Sequence, residues 1–162
     1  MGLYPTPSFE QKICAAEALL AQVQTLPRPI VFTNGCFDIL HRGHVTYLAQ
    51  ARALGASLII GVNSDASVKR LAKGPERPLN GQEDRMAVLA ALEAVSLVTL
   101  FEEDTPLQLI LKIRPQILVK GGDWAPDQIV GHQEVLMWGG SVHAIPFLHQ
   151  RSTTALVQRI RH

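Results

Sequence analysis

Cysteine is scarce in this chain. Cys14 and Cys36 are the only two among 162 residues, and no C-x-x-C spacing joins them. Two are too few for a disulfide framework, so a reducing, cytoplasmic setting is expected. Charge of one sign is also lacking: 15 Lys plus Arg face 14 Asp plus Glu, a formal net charge of +1. No global field therefore draws the chain to nucleic acid or to an anionic membrane surface. Apolar residues never run together for the ~18 positions that a membrane span needs. Residues 1–7 hold no basic stretch leading into an apolar core, so export by a standard signal is not expected. Repeats, low-complexity tracts and a linker long enough to divide the chain into separate domains are missing as well.

What is present is ordinary globular composition, 47% apolar and 18% charged, at a length that suits one core. Five short apolar runs of the buried-strand type fall at residues 30–33, 58–62, 95–100, 117–119 and 141–145. Helical patterns lie between and after them, at 44–54, 82–92, 106–113 with Thr105 as N-cap, 129–138, and 153–160 with Ser152 as cap. Alternating strand and helix predicts an α/β fold, a single-domain, Rossmann-like parallel five-stranded sheet with flanking helices. Ser8 with Gln11 resembles a capping box, and Ile13, Leu19, Leu20 and Val23 form a helical stripe ending before Pro27. Residues 1–28 are thus expected to form a leading helix outside the sheet, and residues 29–162 one compact unit.

In open α/β sheets ligands bind beyond the carboxyl ends of the strands. After the first run the chain reads Thr33-Asn34-Gly35-Cys36-Phe37-Asp38-Ile39-Leu40-His41-Arg42-Gly43-His44. A strand that turns at Gly35 and delivers two histidines to a helix N-terminus gathers backbone N–H groups, the positive helix end and two imidazoles. That set suits a polyphosphate, with Gly43 allowing close backbone approach. Neither a P-loop nor a G-x-G-x-x-G fingerprint occurs. A pair of surface and core histidines is the bland alternative. A zinc site is the other, but His41, His44 and Cys36 make no recognisable ligand set, and no metal-ligating residues are assigned. Cys36 reads as a small turn residue, with no base or orienting group assignable to a catalytic thiol. Lys69, Arg70, Lys73 and Arg77 are either a solvated basic loop or a flexible clamp on phosphates. Lys120, Asp123 and Trp124 follow a buried run beside two glycines, and Ser152 to Thr154 could cap a helix, bind phosphate, or do both.

These residues resemble the HxGH nucleotidyltransferases, the motif here being His41-Arg42-Gly43-His44. The resemblance continues through Val62-Asn63-Ser64-Asp65, Lys120-Gly121-Gly122-Asp123-Trp124 and Ser152-Thr153-Thr154, covering residues 29–161. It is nearest to the branch that adenylylates D-glycero-β-D-manno-heptose 1-phosphate for lipopolysaccharide core synthesis, here without the kinase domain often fused to it. The resemblance implies AMP transfer from ATP, with Mg²⁺, to a sugar 1-phosphate, and a homodimer or higher homo-oligomer. It implies catalytic roles for His41, His44 and Lys120. Asn34, Gly35, Cys36, Phe37, Gly43, Asn63, Ser152 and Thr153 would hold nucleotide, and Asp38, Lys69, Lys73, Arg77, Asp123 and Trp124 the other substrate, Asp38 by ordering sugar hydroxyls or the metal. Related cytidylyltransferases for glycerol 3-phosphate open the last motif with Arg before Gly-Ile-Ser-Thr-Thr. Here Phe147 replaces that arginine and Arg151 the isoleucine. A cytidylyltransferase and a non-catalytic nucleotide-binding module are the competing readings.

Overall fold

The computed structural model describes residues 4–71, 74–149 and 152–161. Six strands are found among them: β1 (Ile13–Cys14), β2 (Ile30–Gly35), β3 (Ser57–Asn63), β4 (Leu97–Phe101), β5 (Ile117–Gly121) and β6 (Ser141–Ile145). Every pair is parallel, in the order β1-β4-β3-β2-β5-β6. The central strands are continuous apolar runs because both faces of the sheet are covered. Phe32, Ile59 and Leu118 face one way, onto α1 (Leu19–Thr25), α5 (Leu107–Ile113) and α6 (His132–Met137). Val31, Leu58, Ile60 and Val119 face the other, onto α2 (Arg42–Ala53) and α4 (Gln82–Ala90). The register Val31↔Leu58 and Val31↔Ile117 keeps this division in step across three strands.

Four sequence expectations are corrected. The sheet has six strands rather than five, because Ile13 and Cys14 pair with Val98 and Thr99 at its edge. The leading segment is accordingly not one helix outside the sheet. It is a 3₁₀ turn (Ser8–Lys12), then β1, then α1; Ile13 of the apparent helical stripe is a strand residue. The basic stretch is not wholly loop: Lys69 and Arg70 close a short helix, α3 (Asp65–Arg70), whose N-cap Ser64 accepts from Ser67 N at 3.1 Å. The helix expected at 129–138 is shorter, because a 3₁₀ turn at Pro126–Gln128 and Gly131 at φ 90 delay its start.

From β2 the chain builds outward through β3 and β4, then crosses back to lay β5 on the opposite side of β2. This reversal spreads the loops that follow β2 and β5 and opens a crevice at their carboxyl ends. The last helix, α7 (Thr153–Arg161), returns to the same end, where Thr153 Oγ1 donates to Ile39 O at 3.4 Å.

Candidate active site

The crevice floor is the turn after β2. His41 is the N-cap of α2 in extended conformation, φ −140 and ψ 172, and His44 lies in the first turn. Their rings stack with centroids 3.9 Å apart and planes 24° from parallel, at the positive end of a twelve-residue helix. Gly43 does allow a close approach of neighbouring protein atoms. A Cβ there would meet His149 O and His41 Nδ1, each at 3.0 Å. The segment after β6 thereby packs onto the start of α2.

Three chambers adjoin along this end of the sheet. The first, about 230 Å³, is lined by Asn34, Gly35, Cys36, Asn63, Lys120 and Trp124, with Leu71, Asp104 to Pro106 and Gln128 to Val130 opposite. The second, about 180 Å³, shares Asn34 to Cys36 and Lys120 with the first and adds Phe37, Asp38, His44, Arg77 and Thr153. The third, about 400 Å³, has His41, His44, Arg77, Ser152, Thr153 and Thr154. Phe147 lines the second and third chambers, its ring edge-on to those of His44 and Tyr47 at 6.3 and 5.6 Å. Gly121 makes room for it, since a Cβ there would lie 2.8 Å from Phe147 Cζ. Burial pushes the Tyr47 phenol upward; it stays protonated and hydrogen-bonded to Thr33.

Below the second chamber Asp38 is 3% exposed and hydrogen-bonded through both carboxylate oxygens. Its Oδ1 accepts from Leu79 N and Asn80 N, both at 2.9 Å. Its Oδ2 accepts from Arg77 Nε at 2.5 Å and Leu79 N at 2.9 Å. Burial alone would raise this carboxyl, but the Asn80 and Leu79 amides and the Arg77 charge outweigh it and hold it below the usual range. Three donors thus hold the Asp38 carboxylate, the Leu79 N–H shared between its two oxygens. With its side chain 0% exposed, it is engaged within the protein rather than presented to sugar hydroxyls or a metal, the role that the resemblance implied. Its neighbour Arg85 is 1% exposed. The guanidinium donates to Asn80 O at 3.0 Å, Cys36 O at 2.6 Å, and Asn63 O and Asp65 Oδ1 at 2.8 Å, tying the ends of β2 and β3 to the loop before α4.

The structure thus gathers His41, His44, Lys120, Asn34, Gly35, Cys36, Phe37, Asp38, Asn63, Arg77, Trp124, Ser152 and Thr153 around one crevice. It does not bring Lys69 or Asp123 there. Both are exposed and neither lines a chamber. Lys73 lies outside the described residues. Arg70 pairs with Asp104 at 2.7 Å on the exposed surface, whereas Arg77 is 8% exposed, so the basic stretch is not a solvated loop at Arg77. Sequence reasoning missed Arg85, Asn80 and Tyr47. Arg85 had a signal: it stands four residues before buried Leu89 on an otherwise apolar helix face.

The chain belongs to the cytidylyltransferase-like family of nucleotidyltransferases, whose model matches residues 32–158. The D-beta-D-heptose 1-phosphate adenylyltransferase of Bordetella bronchiseptica is 57% identical over 155 residues, covering 94% of this chain and 96% of that one. The bifunctional protein HldE of Magnetococcus marinus is 57% identical over 145 residues, of which this chain spans only 30% of the length. Among solved structures, a lipopolysaccharide core biosynthesis protein from Thermoplasma volcanium superposes with a TM-score of 0.62 at 25% identity, covering 75% of this chain and 98% of that one.

Proposed function

We propose that the protein transfers AMP from ATP to D-glycero-β-D-manno-heptose 1-phosphate, giving ADP-heptose and pyrophosphate. The observation that carries this reading is one crevice in which two helix-terminal histidines, Lys120 and Arg77 converge, in a chain 57% identical to a heptose 1-phosphate adenylyltransferase. The sugar phosphate oxygen attacks the α-phosphorus in line, and pyrophosphate leaves. No protein nucleophile is required. Catalysis consists of aligning two anions that repel each other and stabilising charge on the phosphoryl oxygens.

His41 and His44 would donate to the triphosphate from the end of α2, with Ser152 and Thr153 closing its far side. Lys120 lies on the wall common to the first two chambers, where a reacting phosphorus would meet both substrates. The first chamber suits the sugar: Trp124 offers an aromatic face, and Thr105 and Gln128 offer hydroxyl partners. Mg²⁺ would arrive on the triphosphate rather than sit in a protein cage. No cluster of three His, Cys, Asp or Glu side chains suited to a metal exists among the described residues. Of the two carboxylates lining the crevice, Asp38 is held by Arg77, Leu79 and Asn80, and Asp104 is paired with Arg70. Pyrophosphate release, measured with ATP or CTP against heptose 1-phosphate and glycerol 3-phosphate, tests the reading. Release with ATP and the heptose alone is expected. A CTP preference would favour the cytidylyltransferase, and binding without turnover a nucleotide-binding module.

No described helix is long and apolar enough to cross a membrane. A cytoplasmic location is part of the proposal, supported by the lack of a disulfide between Cys14 and Cys36.

A further inference from the structure

We propose that Asp38 is a positioning residue for Arg77: it grips one edge of the guanidinium so that the remaining N–H groups present a fixed fork to a phosphate beside His44. This rests on the nucleotidyltransferase reading above and deepens it.

Arg77 lines both the second and the third chamber, in each case together with His44 and Thr153. Its side chain is 8% exposed and that of Asp38 is 0% exposed. Only Nε–H is committed, to Asp38 Oδ2 at 2.5 Å; among the described residues the guanidinium makes no other hydrogen bond. An arginine has five donors in a rigid plane, and the four on the terminal nitrogens, which are not among the buried unpartnered side-chain atoms, open onto the cleft that Arg77 lines. A phosphate has the matching geometry, since two parallel N–H groups can reach two of its oxygens.

The grip is itself braced. Asp38 accepts the Leu79 and Asn80 amides from the same loop that carries Arg77. The Asn80 side-chain amide donates back to Asp38 O at 2.5 Å, and Asn80 O accepts from Arg85 Nε. Arginine and carboxylate are therefore fixed to one frame, and the frame to the ends of β2 and β3 through Arg85. A long side chain that would otherwise lose much rotamer freedom on binding is ordered beforehand.

The test is calorimetric titration of inorganic pyrophosphate into wild-type protein, D38N, R77A, R77K and the D38N/R77A double variant. R77A is expected to weaken binding about 10- to 100-fold, the equivalent of one charge-assisted hydrogen bond. D38N should weaken it in the same range, and the double variant should bind no more weakly than R77A alone. R77K should fold and yet bind as weakly as R77A, because an ammonium can meet Asp38 or the anion but not hold both in a planar fork. Losses that multiply in the double variant, wild-type affinity in R77A or R77K, or no pyrophosphate binding by wild type would each overturn the proposal. Should D38N fail to fold, D38E takes its place in the same cycle with R77A, with the same outcomes for and against. Parallel turnover assays separate the two readings. Non-additive binding without turnover of ATP and heptose 1-phosphate sinks the proposed function alone, and normal turnover with multiplying losses sinks the Asp38 role alone.

Discussion

His41 and His44 concentrate the proposed chemistry in two imidazoles stacked at the start of one helix. Each is half-buried at the crevice rather than in the core, so His41→Ala and His44→Ala should lower kcat by about 10²-fold while the melting temperature stays near that of wild type. Steady-state kinetics with parallel thermal melts will check this. Arg85 is the opposite case. Replacing it with Met leaves the carbonyls of Cys36, Asn63 and Asn80 without their donor, and a loss of about 3 kcal/mol or more is expected in urea unfolding. Asp38 sets an acid limit. Its carboxyl sits lower when folded than the unfolded value of about 3.9, so its stabilisation is complete above that pH and is lost as pH falls through the folded value. Urea midpoints measured downward from pH 5 should fall more steeply for wild type than for D38N. The histidines could be read in the sequence because strand, glycine and helix start frame them. The Asp38 and Arg77 pair could not, since 39 positions separate the two and only the folded loop brings them together.

At the scale of elements, β2, β3 and β4 were legible because continuous apolar runs with both faces covered leave few alternatives, and β5 and the edge strand β6 because short apolar-rich runs recur between helical patterns. β1 was not. Two residues carry no periodicity, and Ile13 and Cys14 are strand only because β4 offers them an edge. α3 was hidden by the basic residues at its end, although Ser64 and Asp65 mark its start. The cap foreseen for α7 is present: Ser152 Oγ accepts from Ala155 N at 3.0 Å. None of residues 153–160 is buried, so this helix has little packing to hold it, and Ser152→Ala removes about 1 kcal/mol from it alone. Faster amide hydrogen exchange confined to α7 is expected, with the global melting temperature unchanged and the KM for ATP raised.

For the whole molecule, self-association is expected. Met137 is 80% and Leu136 49% exposed at the end of α6, and Ile160 is 74% exposed on α7. Trp138, their neighbour in the sequence, instead packs inward: its Nε1 donates to Pro115 O at 2.9 Å and Arg114 lies 5.0 Å over its ring. Sedimentation at micromolar concentration should give a dimer, and Met137→Glu should shift it toward monomer. The sheet has a further edge to guard. β4 would present a row of bare amides and carbonyls to solvent were it not for Ile13 and Cys14 lying along Val98 and Thr99. A parallel sheet ending on an uncovered apolar strand is a template on which a neighbouring chain can stack, and that stacking repeats without closure. Two residues from the leading segment occupy that template at Val98 and Thr99 from within the same molecule, so the edge left to a neighbouring chain is a strand only two residues long.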